Sequence, residues 1–194
     1  MASFKSCRSS APGHHVHLGI AESGKTYALE GNHREALRHY REAIRVARQV
    51  KAPEVFFRHY TQCVLESLEL SGSHSEVIGF CERADSFHAS IDTGLAMHAR
   101  DHGSILERLG INRLRAGDRD GATEALSAAL ERTGGSGLPL AAAVLRMLQR
   151  GMTPDARRLL ELQRRHHYFV VRQGYVDDAR VRRLPGGGAE TTAR

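Results

Sequence analysis

Residues Gly19–Thr26 read GIAESGKT and satisfy G-x-x-x-x-G-K-[ST] in full. In a phosphate loop, that pattern lets backbone N–H groups and a lysine hold the phosphates of a nucleotide. Such chemistry needs a buried strand before the loop and a helix that begins at the lysine. Upstream here stand HHVHL and APG, a poor buried strand, and no later apolar run ends in an aspartate placed for magnesium. The spacing therefore predicts Gly24 inside a helix, where the N–H groups are engaged by carbonyls of the preceding turn. A nucleotide-binding enzyme acting through Gly19–Thr26 is the second alternative reading. His98 and His102 stand four apart, a spacing that can bind a metal on a helix. HARDH lacks the glutamate that follows the first histidine in zinc proteases, and His14, His15, His17, His166 and His167 add no carboxylate partner. These are read as surface histidines, with no metal and no cofactor. Cys7, Cys63 and Cys81 are three thiols at no metal-like spacing. They suit a reducing cytoplasm, with Cys63 and Cys81 as small buried hydrophobes. No Ser/His/Asp or Cys/His arrangement has local support, so the chain is read as non-catalytic.

The elements that would position these residues show in the punctuation of the chain. At 194 residues there is enough chain for a sizeable core. No run approaches the ~18 apolar residues of a membrane span. Four glycines, Gly31, Gly72, Gly117 and Gly151, each close an apolar-periodic stretch and precede a polar turn. Glycine there takes the left-handed conformation at a helix C-terminus, and the polar residues start the next helix. Five residues on stand Ala36, Val77, Ala122 and Ala156, and four further Tyr40, Cys81, Leu126 and Leu160. Each such pair shares one helix face. The pattern predicts eight helices in four antiparallel pairs: 14–30 with 33–50, 53–71 with 74–90, 94–116 with 119–132, and 138–150 with 154–167. GGSG at 134–137 separates the third pair from the fourth.

Charge is placed unevenly. The formal net charge is +6, and the residues from Leu138 onward hold 11 arginines against 5 acids, which accounts for all of it. Residues 1–13 read as an N-terminal tail, 14–167 as one helical repeat domain and 168–194 as a basic C-terminal arm. In that arm YFVV and YV form a short strand or an extended arm, and VDDARVRRL a last helical turn. The segment LPLAAAVLRMLQRG is apolar on most of its circumference, so the tail or another subunit is expected to cover it.

A recurring pair of helices at this spacing, with Gly24 and Gly110 each 12 residues before the alanines Ala36 and Ala122, resembles the tetratricopeptide repeat (TPR) family. The first repeat reads I20-x2-S23-G24-x2-Y27, then Ala36, Tyr40 and Ala43, and the third L106-x2-L109-G110-x2-R113, then Ala122, Leu126 and Ala129. The resemblance implies an all-α fold of antiparallel hairpins stacked as a short solenoid. It implies a scaffold or adaptor that binds another protein or peptide in a groove built from the first helix of each pair. The groove-facing residues it implies are Lys25, His59, Gln62, Glu66, Glu107, Arg108, Ile111 and Arg115. To these the basic end adds Arg164, Arg165, Arg172, Arg180, Arg182 and Arg183, which suit a partner with an acidic surface. Self-association through the C-terminal end is a further expectation, and the first alternative function is a nucleic-acid-associated module using the same arginines.

Overall fold

Among the described residues, eight α-helices follow from those turns. The computed structural model describes residues 15–91, 95–135 and 137–185. The expected tail 1–13, with Cys7, and His14 lie outside the described residues, as do residues 186–194 of the arm. The helices are α1 (Val16–Leu29), α2 (His33–Gln49), α3 (Glu54–Leu70), α4 (His74–Ser90), α5 (Ala96–Arg115), α6 (Arg119–Arg132), α7 (Pro139–Gln149) and α8 (Ala156–Arg165). A single 3-10 turn follows at Asp178–Arg180, and no strand occurs among the described residues. The segment read as a short strand or an extended arm forms no strand and turns at Gln173–Gly174, where Tyr175 N donates to Arg172 O at 3.1 Å, and the last helical turn falls within VDDARVRRL.

The four helix-closing glycines all adopt positive φ, between 76° and 88°. At each, the following N–H reaches back five residues, as Asn32 N does to Tyr27 O at 2.8 Å and Asp118 N to Arg113 O at 2.9 Å. This closes the last turn and satisfies carbonyls the helix leaves open. The next helix starts at once in the first three cases. Asn32 and Asp118 accept N–H bonds from Glu35 and Gly121.

The fourth case departs from the expected register. After Gly151, Met152–Pro154 intervene, and the cap is Asp155, which accepts from Arg158 N at 2.7 Å. Counted from the cap, the positions of Ala36 and Tyr40 fall on Leu159 and Gln163, not on Ala156 and Leu160. Leu159 and Gln163 are buried, whereas Ala156 is exposed. In the other three hairpins both expected residues are buried: Ala36 and Tyr40, Val77 and Cys81, Ala122 and Leu126.

The chain divides into two compact units, one of residues up to Ser67 together with those from Val171 onward, the other Leu68–Val170. In the first, α1 packs on α2. Its apolar cluster contains Ile20, Ala21, Ala43, Ala47, Ala52 and Tyr60, with Phe56, Phe57 and Leu184 packed against it. In the second, α5 packs against α4, α6 and α7. The apolar face of α7 (Leu140, Ala141, Val144, Leu145, Leu148) is buried there. Its cover is therefore α5 and α6, where the sequence suggested the tail or another subunit.

Two glycines occupy the same place in two hairpins. A Cβ on Gly24 would lie 2.5 Å from Tyr40 Cε1, and one on Gly110 would lie 2.6 Å from Leu126 Cγ. Helices α1 and α2, and likewise α5 and α6, touch where one side chain is missing and the other is large. Gly79, in α4, faces only the flexible end of Arg83 at 3.4 Å. Alanine substitution should therefore have opposite signs at these sites. Gly24→Ala and Gly110→Ala should destabilise by ~1–3 kcal/mol through overpacking. Gly79→Ala should stabilise by about 0.5–1 kcal/mol by removing backbone freedom. Chemical denaturation of the three variants checks this; equal signs at all three would contradict the close contacts.

Candidate peptide-binding face

GIAESGKT lies within α1, and each residue of the pattern is used by the fold. Gly24 admits Tyr40. Thr26 turns its hydroxyl back to Glu22 O at 3.2 Å, and Lys25 Nζ donates to Glu22 Oε1 at 2.8 Å. Gly19 N donates to His15 O, an ordinary helical bond. No nest of free N–H groups is formed, so the loop geometry a phosphate requires is not made by these residues.

Gly19 has a second use. A Cβ there would stand 2.5 Å from Arg180 O and 3.0 Å from Arg182 Cβ. The missing side chain opens a seat for the arm, which runs back over the first unit. An extended chain away from a sheet has no ladder to bond its main chain, so its N–H and C=O groups need other partners. Here the helices supply them. Val171 N donates to both oxygens of Glu66 at 3.3 Å, and Lys25 Nζ donates to Tyr175 O at 3.5 Å. Asp177 N donates to Glu22 Oε2 at 2.9 Å, and Arg182 N to Gly19 O at 3.0 Å. Leu184 N donates to His39 Nε2 at 3.1 Å, and Arg38 Nη1 donates to Pro185 O at 3.3 Å. Side chains add to this. Leu184 packs on the apolar cluster, and the Arg183 guanidinium lies 5.5 Å from the centre of the Tyr27 ring. Arg180 closes its own turn on Asp177 at 2.7 Å, and Arg172 stacks on Tyr175.

Of the residues implied to line a groove, Lys25 and Glu66 meet on the arm's main chain. His59 and Gln62 are half-buried on α3. His59 sits beside Tyr60 and Cys63, and burial lowers its pKa. The four expected on α5 are a correction: they pack on the second unit itself. Ile111 is fully buried. Arg108 Nη1 donates to Glu69 Oε2 at 3.2 Å beneath the Tyr168 ring, and Arg115 Nη2 donates to Gln163 Oε1 at 2.7 Å. Glu107 Oε1 accepts Ala141 N–H at 2.8 Å and so caps α7 from outside. For Arg108 and Arg115 the physical reason is Glu69, a buried carboxylate at the end of α3 that Arg108, Asn112, Gln163 and Tyr168 reach directly and that Arg115 approaches at 3.9 Å. Among the arginines of the basic end, Arg164, Arg165, Arg180, Arg182 and Arg183 are exposed and Arg172 is half-buried.

Several residues that meet the arm carried no signal in the sequence. Glu22 shows only as a residue three before Lys25, and His39 stands unmarked beside Tyr40. The histidines read as surface groups are partly a correction. His17 and His102 are buried, bonded to Tyr60 at 2.7 Å and Asp85 at 2.6 Å. His88 Nδ1 and His98 Nε2 lie 3.0 Å apart, yet among the described residues no group of three or more such side chains could hold a metal ion. Cys63 and Cys81 are buried thiols, as expected, and burial pushes the Cys81 thiol up to about 12. No helix among the described residues is long and apolar enough to cross a membrane. Comparison of the chain with protein-family models, with curated proteins and with solved structures finds no match.

Burial raises the Glu107 carboxyl to about 6, against an ordinary 4.5, despite the Ala141 N–H bond and Arg108. The folded chain then holds this proton more tightly than the unfolded chain. Its contribution to stability is present below pH 4.5 and is lost as pH rises through about 6. Glu107→Gln keeps an oxygen for Ala141 N–H and removes the charge. It should be more stable than the parent at pH 7.5, by on the order of 1–2 kcal/mol, and equal to it near pH 4.5. Unfolding curves across this range check the prediction; a difference independent of pH would contradict it.

Proposed function

We propose that this chain is a non-catalytic adaptor of TPR-like build, whose α1–α2 face takes an extended segment of a partner protein. The observation that carries the reading is the arm itself. Residues 171–185 run along that face and the adjoining end of α3, turning at Asp178–Arg180, with six main-chain groups met by Lys25, Glu22 and Gly19 O of α1, His39 and Arg38 of α2 and Glu66 of α3. Main-chain bonds of this kind accept many sequences, and pockets for side chains then give selectivity. A TPR-like build is supported by the matched Gly24–Tyr40 and Gly110–Leu126 contacts. It is supported too by the packing of α5 on α7, the first helices of successive hairpins.

A second reading, association with nucleic acid, is favoured by a row on the outer face of α2. Arg34, Arg38, Arg41, Arg45 and Arg48 recur at alternating steps of four and three, so all share one side of the helix. Arg38 and Arg45 pair with Glu35 and Glu42. Arg34, Arg41 and Arg48 have no carboxylate partner among the described residues. A row of guanidiniums suits phosphates more than bases.

Hydrogen exchange on the full chain, with and without the protein that co-purifies with it, separates the two. The adaptor reading expects the partner to displace the arm, so that residues 171–185 exchange faster while α1 and α2 stay protected. Gly19→Leu, which blocks the seat, should abolish capture. Capture unaffected by Gly19→Leu, with the arm's exchange unchanged, would contradict it. The second reading expects retention on duplex DNA or RNA that falls steeply with salt.

A further inference from the structure

The face is more selective than a set of main-chain bonds requires. Two neighbouring side chains of the arm enter distinct features of it. Leu184 packs on the apolar cluster that contains Ile20, Ala43 and Ala47, and Arg183 lies over the Tyr27 ring. The amide of Leu184 meets His39 Nε2 at 3.1 Å. His39 Nδ1 lies 2.7 Å from Glu35 O, so Nδ1 carries the proton and Nε2 offers its lone pair. His39 is fully buried, which fixes this arrangement.

We propose that the α1–α2 face is a receptor for an extended partner segment carrying an Arg-Leu pair, and that residues 182–185 are the built-in competitor for the same seat. This rests on the adaptor reading above. The pair is chosen by chemistry. An acidic residue in place of Arg183 would meet the electron-rich face of Tyr27, where a cation is attracted. A polar or charged residue in place of Leu184 would lose its water against apolar side chains. Because the arm is tethered, it competes at a high effective concentration, and a partner segment must outbid it or arrive when it is released.

His39 gives the seat a dependence on pH. The groups that face it are Glu35 and Arg38 on α2, Tyr27 on α1, and Arg183 of the arm. Burial lowers its pKa most; the Glu35 carbonyl and carboxylate oppose this, and Arg38 and Arg183 add to it. It is neutral at pH 7. Protonation would turn Nε2 into a donor facing the donor of Leu184. The docked state therefore binds fewer protons than the open one, and docking weakens as pH falls below the ordinary histidine range.

The test is fluorescence anisotropy with a labelled peptide of residues 179–185, ARVRRLP, added to the full chain. Leu184→Asp in the protein lies on the half-buried arm and should vacate the seat without touching the helices. The peptide should bind that variant at least roughly tenfold tighter than the parent. A peptide with Leu→Asp, or with its arginines replaced by Glu, should not bind. Affinity for the vacated protein should fall between pH 7.5 and pH 5, and adding His39→Gln, which keeps an acceptor but does not titrate, should flatten that fall. If His39→Gln fails to fold, the comparison of parent and Leu184→Asp decides alone. Equal binding to both would overturn the proposal. Extended segments without Arg-Leu that bind the vacated face equally well would overturn it and leave the adaptor reading standing. Absence of binding by any extended segment would overturn both.

Discussion

A carboxylate removed from water must be met by donors on nearly every side, and Glu69 is that carboxylate here. It is almost wholly buried, and it gathers Arg108 and Asn112 from α5, Gln163 from α8 and the hydroxyl of Tyr168. None of these side chains is free to turn to solvent without stranding the charge. The second unit is held in register by this demand as much as by its apolar layers. It also explains why α5 carries polar residues on its inner side. They were legible as a binding face, because charged groups on a first helix usually look outward. The burial of Arg108 is dictated by one glutamate of a different helix, and that of Glu107 by the open N–H of Ala141 at the start of α7.

The first unit works under a different constraint. An extended segment with no strand beside it must find partners for its main chain one group at a time. Glu66, Glu22 and Lys25 on α3 and α1 supply some, and the buried imidazole of His39 supplies another. The arm's side chains then divide. Leu184 turns in, while Arg180 and Arg182 stay exposed. A face that can hold one extended segment in this way has the chemistry to hold another, which is the ground for reading the molecule as an adaptor.

Much of the architecture was legible in the sequence. Each helix lies within a few residues of its expected bounds, because Gly31, Gly72, Gly117 and Gly151 mark local backbone geometry that only their own neighbours decide. The register of α8 departs from the spacing set by Gly151, because the Asp155 cap fixes it. What covers α7 was invisible, since its neighbours α5 and α6 are chosen by tertiary packing. GIAESGKT is the sharpest case. Its two glycines answer to two separate close approaches, of Tyr40 and of the arm, and the second comes from residues more than 150 positions away in the chain. No local pattern could have shown that, nor that Lys25 and Glu66, both legible as candidates, would meet on the same stretch of main chain.

The central claim is that the main chain of residues 171–185 is held by the helices of the first unit. Residue-resolved amide exchange, read by NMR on the full chain, tests it most directly. The amides of Val171, Asp177, Arg182 and Leu184, whose acceptors lie on α1, α2 and α3, should exchange slowly. Gln173 and Arg183, whose amides have no acceptor among the described residues, should exchange at the rate of a free peptide. That alternation is what the account predicts. Uniformly rapid exchange from Val171 to Leu184 would show that the arm is not seated, and would contradict it.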